Sequence, residues 1–164
     1  MSDTHASLPP PSPRYFEDFS AGQVFEFGRI EVGEADALQF ASRYDPQSIH
    51  IDKNAARAGP FGGLILSGWH TCALMMRLFA EHVLDNASSL GSPGIDELRW
   101  LKPVRPGDTL SLRVTVEQAR RSRSKPDRGM VWNRIEVLNQ RDETVMTLKP
   151  MNLMRCRQQP EAAP

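Results

Sequence analysis

No window of the sequence reaches the roughly 18 uninterrupted apolar residues that a membrane-spanning helix requires. With a mean hydropathy of −0.44, the chain reads as a soluble protein. Net charge is missing too: 20 Lys and Arg offset 20 Asp and Glu, and without a basic field neither nucleic acid nor an anionic membrane is an expected partner. Cysteine is scarce. Cys72 and Cys156 are the only two, with no CxxC or zinc-ligand spacing, and the N-terminal stretch has no basic start followed by an apolar run. A reducing cytoplasm is the expected location. The chain contains no GxGxxG after a strand, no GxxxxGK[ST], no GxSxG around Ser67 and no HExxH, which removes the sequence support for a nucleotide cradle, a nucleophile elbow and a zincin site. His5, His50, His70 and His82 show no ligand pairing, and no metal is expected.

A chain of 164 residues fits one domain of ordinary size. Pro9, Pro10, Pro11 and Pro13, interspersed with Ser2, Ser7 and Ser12, predict a flexible arm over residues 1–14. Residues 157–164 read as a flexible tail, leaving a single folded domain over 15–156. Alternation around Phe25 and Phe27 predicts a strand ending near Val32. A short helix carrying Ala37, Leu38, Phe40 and Ala41 follows Gly33 and stops before Asp45-Pro46, because proline disfavours helical backbone in the residue before it. Residues 53–58 read as one further turn, and a glycine-rich stretch from Gly59 to Gly63 leads into the strongest helix, from Ser67 to about Asp85. That helix is apolar on most sides, which predicts that its own protein surrounds it. Four strands follow: 95–101, a strand in which Leu110, Leu112, Val114 and Val116 alternate with polar residues, 130–138 and 144–154. Pro150 places the last at an edge or a bulge. The pattern is α+β, a curved, mainly antiparallel sheet over one long helix.

Asp45 and His50 stand five residues apart in a segment read as a loop. A carboxylate accepts protons while an imidazole accepts or donates, so the two brought together can hold and activate a water. The alternative is structural: Asp45-Pro46 also suits a helix N-cap with proline at N1, and a lone histidine often only packs. The helix start at Ser67-Gly68 offers free backbone N–H groups at the positive end of a dipole, where a carbonyl oxygen can dock. Equally, Gly59, Gly62, Gly63 and Gly68 suit a tight approach to a buried helix. The dense positive run from Arg120 to Arg128 is either a solvated hairpin or a phosphate contact, with Arg121 and Arg123 as its guanidinium ligands. Gly63, Ser67, Trp69 and His70 are expected to border a pocket around Gly68, packing being the alternative for Trp69.

The stretches FASRYDPQSIHID (40–52), GPFGGLILSGWHT (59–71), GSPGIDELRW (91–100) and PVRPGDTL (103–110) together closely resemble the MaoC-like acyl dehydratases, the (R)-specific enoyl-CoA hydratase group of the hotdog fold. The resemblance spans nearly all of residues 15–155. It implies a long central helix wrapped by an antiparallel sheet, and a homodimer or higher homo-oligomer. It also implies reversible hydration of a trans-2-enoyl-CoA to a (3R)-hydroxyacyl-CoA. Asp45 and His50 match the pair that holds the water, and Gly68 matches the glycine whose backbone N–H polarises the thioester carbonyl. No cofactor is implied; coenzyme A enters only as the substrate's carrier. Ser67 stands where several relatives have histidine, and Pro46 follows Asp45 directly. Two rival readings share the fold: an acyl-CoA thioesterase, and a non-catalytic acyl-CoA-binding protein.

Overall fold

The structure, a computed structural model, describes residues 13–157. The expected arm over 1–14 and tail over 157–164 therefore lie almost wholly outside the described residues. Their inner ends are held. Arg14 donates to the His82 carbonyl and lies over the Phe25 ring at 4.8 Å, while Arg157 pairs with Asp18.

Five strands, β1 (Val24–Glu31), β2 (Gly94–Trp100), β3 (Thr109–Arg121), β4 (Arg128–Leu138) and β5 (Thr144–Arg155), form one antiparallel sheet in the order β1-β3-β4-β5-β2. Between β1 and β2 lie four helices: α1 (Glu34–Tyr44), α2 (Ser48–Ile51), α3 (Lys53–Ala58) and α4 (Gly68–His82). The period-two pattern of β3 is realised, for Leu110, Leu112, Val114 and Val116 are no more than 1% exposed. Val131, Ile135 and Val137 extend that inner face onto β4, and α4 lays Met75, Leu78 and Phe79 into the same core. Spacings of three and four residues put those three on one helix face. Burying each contributes about 1.5–3 kcal/mol. The result is the hotdog arrangement, a sheet curled around one helix. Among the described residues no helix is long and apolar enough to cross a membrane.

Two expectations are corrected. The single chain does not surround α4: Trp69 is 59% and Met76 44% exposed, because one sheet covers one side of a helix. Pro150 is not on an edge strand, since β5 lies between β4 and β2. The paired positions of β4 and β5 run Trp132↔Met151 and then Ile135↔Leu148. The ladder to β4 is open opposite Pro150, as a residue without an N–H requires, while on the other side Pro150 stands opposite Ile95 of β2.

The register of β1 against β3 shifts between Phe27 and Ile30, and Gly28 at this bulge has φ +80°. A Cβ at Gly28 would lie 2.7 Å from Leu78 Cδ2, so β1 carries α4 directly on its backbone. Gly22 supplies the comparison, with φ +87° and nothing within 4 Å of a built Cβ. In urea unfolding, Gly22→Ala should lose about 1 kcal/mol to backbone strain. Gly28→Ala should lose about 2–4 kcal/mol, because overpacking of the helix adds to the same strain. Equal losses would show that the contact with Leu78 carries no weight.

Candidate active site

Helix α1 ends at Tyr44 because Asp45, preceding Pro46, leaves the helical region at φ −153°, ψ 67°. The chain restarts at once: Gln47 is the N-cap of α2, and His50 is the third residue of that single turn. The segment read as a loop is therefore helical at His50. Capping is not the job of Asp45. Asp52 caps the next helix, accepting from the Asn54 and Ala55 amides at 2.9 and 3.0 Å, which leaves the Asp45 carboxylate to turn inward.

His50 Nε2 lies 3.3 Å from Asp45 Oδ2, with the side chains 6% and 16% exposed. His50 Nδ1 is 2.8 Å from the Ile65 carbonyl. A carbonyl can only accept, so Nδ1 carries the hydrogen and the neutral ring presents Nε2 to Asp45 as an acceptor. Asp45 Oδ1 accepts from Gln47 Nε2 at 2.7 Å and Oδ2 from Ser67 Oγ at 2.7 Å. The Gln47 hydrogen bond first and that of Ser67 next hold the Asp45 carboxyl below the ordinary carboxylate range; burial opposes them more weakly, and the nearby His50 adds the smallest downward pull. Two acceptors meeting at one gap can take both hydrogens of a single water and leave an oxygen lone pair facing outward.

The pair opens on a cavity of about 460 Å³, with Phe61, Ile65, Trp69 and Trp100 on its walls and Gly68 at its floor. As the first residue of α4, Gly68 has no carbonyl one turn earlier in its own helix to receive its N–H. Gly68, Asp45 and His50 thus border one space.

The other expected residues divide. Trp69 lines the cavity and is exposed, so packing alone does not describe it. Ser67, 1% exposed, does not border the cavity but stands behind Asp45. His70 is buried with its ring stacked on Phe40 at 4.5 Å, its Nδ1 without a partner, and burial pushes its pKa down. It is a packed residue, not a wall. Gly63 does not line the cavity either; its backbone packs beside the Arg105 guanidinium. Arg121 and Arg123 are not brought to the site within one chain. They lie by Met130 and Leu153, whereas the site lies by the Trp100↔Met146 pair. From Met146 to Leu153 along β5 is about 23 Å at the strand rise. Arg121 is also paired with Glu17 at 2.7 Å. Among the described residues no group of three or more His, Cys, Asp or Glu comes together as metal ligands would. Sequence reasoning missed Gln47 and Trp100. Gln47 was within reach, two residues beyond Asp45; nothing local marked Trp100.

Comparison with known proteins gives the same family from several directions. The MaoC like domain model matches residues 18–136. The crystal structure of a MaoC-like dehydratase from Rhodospirillum rubrum is 37% identical and superposes with a TM-score of 0.82, covering 89% of this chain and 99% of that one. The uncharacterized protein YdeM of Bacillus subtilis is 30% identical over 129 residues, 79% of this chain and 90% of its own length. A mesaconyl-CoA hydratase from Cereibacter sphaeroides is 30% identical over 154 residues, 92% of this chain. The chain spans only 44% of that longer protein.

The depressed Asp45 carboxyl has a consequence for stability. Because its folded pKa lies below the reference value of 3.8, its contribution is present above that pH and is lost as pH falls through the folded value. Ser67→Ala removes one donor to the carboxylate and should cost about 1 kcal/mol at neutral pH. In denaturant titrations the gap between wild type and variant should narrow below pH 3.8. A gap independent of pH would mean that the Ser67 hydroxyl does not act through the ionised carboxylate.

Proposed function

The chain belongs to the MaoC-like domain family, and from that membership and the geometry of Asp45 and His50 we propose that it reversibly adds water to a trans-2-enoyl thioester. The observation that carries the proposal is the meeting of two proton acceptors, 3.3 Å apart, with the unpaired end of a helix in one cavity. The kinship with a mesaconyl-CoA hydratase supports hydration as the reaction and coenzyme A as the carrier. The resemblance to (R)-specific hydratases extends the product to a (3R)-hydroxyacyl-CoA.

In this mechanism the thioester oxygen accepts from the Gly68 N–H, which draws electron density from the β-carbon and stabilises the enolate-like charge as it develops. Water sits between Asp45 Oδ2 and His50 Nε2. Its oxygen bonds to the β-carbon while one of its protons passes to the pair, and the same pair returns a proton to the α-carbon. Atoms and charge balance, and the pair ends as it began. Asp45, stabilised as a carboxylate by Gln47 and Ser67, serves chiefly to hold and orient; the imidazole, which both accepts and donates, carries the proton. We place a second copy of the chain against the uncovered apolar side chains Met76, Ile95 and Leu101, which are 44%, 52% and 55% exposed.

The test is a series of trans-2-enoyl-CoA substrates of increasing chain length, followed by loss of the conjugated-enoyl absorbance and, in parallel, by release of free thiol. Wild type should consume the enoyl group without releasing thiol. Asp45→Asn and His50→Ala should each lower kcat by about 10²–10⁴ with the fold retained by circular dichroism. Wild-type turnover in both variants, or thiol release in place of hydration, would overturn the reading.

A further inference from the structure

Trp100 is the last residue of β2, 32 positions from Gly68, yet its indole covers the first residue of α4: Nε1 donates to the Gly68 carbonyl at 3.0 Å. A Cβ built on Gly68 would lie 2.5 Å from Trp100 Cε2 and 2.7 Å from Nε1. Gly68 is not among the residues with positive φ, so its backbone would accept any side chain. The space would not. Position 68 is glycine in this chain because a tryptophan ring lies on it.

The first residue of a helix lacks the N–H bond that fixes interior residues, and glycine has the most backbone freedom of any residue. A glycine N–H at that position is by itself a loosely held donor, whereas electrostatic catalysis depends on donors fixed before the charge appears. Trp100 supplies the missing constraint. Its N–H holds the carbonyl of the Gly68–Trp69 peptide and its ring covers the Gly68 α-carbon. On the other side, the Ser67 hydroxyl is tied to Asp45 Oδ2 at 2.7 Å. The peptide that carries the Gly68 N–H is thus held from both flanks.

Trp100 is in turn placed by the sheet. Its pairing with Met146 and the Leu101 amide bond to Val145 O at 2.8 Å fix its backbone, and Trp69 meets its ring edge-on at 5.5 Å between centroids. Between Asp96↔Lys149 and Arg99↔Thr147 the strand β2 gains one residue on β5, at a bulge where Glu97 has φ 53°. Since a one-residue shift exchanges the two faces of a strand, this bulge decides that Trp100 turns toward α4.

We propose that Trp100 is a positioning residue that fixes the Gly68 N–H toward the cavity through the Gly68 carbonyl. Its catalytic consequence rests on the reading of Gly68 as the polarising donor; its hold on the peptide does not. Trp100→Phe keeps a ring over the glycine and removes the N–H. The ¹⁵N order parameter of the Gly68 amide, about 0.85 for rigid backbone, should fall in this variant while those of Leu78 and Phe79 stay unchanged. In hydration assays kcat should drop about 3- to 10-fold, the weight of one neutral hydrogen bond, with KM nearly constant. In wild type the Trp100 indole hydrogen should exchange with solvent more slowly than that of Trp69, a reading that needs no variant. Equal exchange of the two indoles, or an unchanged Gly68 order parameter in Trp100→Phe, overturns the proposal. A loosened Gly68 with undiminished kcat upholds the hold of Trp100 on the peptide and overturns the polarising role of Gly68 instead.

Discussion

The hydrogen bond from His50 Nδ1 to the Ile65 carbonyl is the constraint on which the site depends. It fixes which imidazole nitrogen is free, and it joins two segments that the sequence separates. The Ile65 amide returns a bond to the Ile49 carbonyl at 3.2 Å, and the Leu66 amide donates to Val104 O at 2.7 Å. The approach to α4 is therefore laced on one side to α2 and on the other to the chain leaving β2. Without this lacing the Asp45 carboxylate and the Gly68 amide would belong to independent loops. With it they face one volume, and Ser67, the next residue along, comes within reach of Asp45 Oδ2.

Two imidazoles show how surroundings decide a histidine's part. His50 has a carbonyl on one nitrogen and a carboxylate facing the other, so a proton or water placed at Nε2 is shared with Asp45. His70, equally buried, lies against the Phe40 ring with an unpartnered Nδ1, and burial disfavours its charged form. A buried ring without a facing carboxylate is a poor proton carrier. The two residues are indistinguishable in composition; what separates them is that α2 aims one at Asp45, while the first turn of α4 aims the other at α1.

How much of this was legible in the sequence depends on the range over which each cause acts. The break after Tyr44 is a local effect of Pro46 on Asp45, and the inner face of β3 is written in strict alternation, so both were readable. The spacing of Asp45 and His50 admitted both a water-holding pair and a merely structural reading, and only the resemblance to the MaoC-like family favoured the first; the structure brings the two side chains to 3.3 Å. The single turn of α2 was not readable, since one helical turn leaves no periodicity to detect. Of the two places Pro150 allowed, an edge or an irregularity, the edge did not hold, because a proline tolerates an interior strand when the ladder opens on one of its sides. An apolar pattern on most sides of α4 cannot tell which side its own sheet covers. The crowding at Gly68 was not legible, for the ring that demands glycine there comes from a strand whose facing is set by a bulge, and a bulge is a property of pairing.

The two bulges have a common sense. In the order β1-β3-β4-β5-β2 the strands β1 and β2 are the two edges of the sheet, and each carries a register shift. At one edge Gly28 brings backbone against Leu78, in the C-terminal half of α4. At the other, the extra residue near Glu97 turns Trp100 onto Gly68, the first residue of the same helix. Two further register shifts lie inside the sheet, between Val116 and Gln118 and between Val137 and Leu138; bulges sharpen the local twist and bend of a strand, and the two at the edges also meet the helix. A helix located from both edges cannot slide along its axis without a clash at one of them. That fixes the residue at its start relative to Asp45 and His50, with which it lines one cavity.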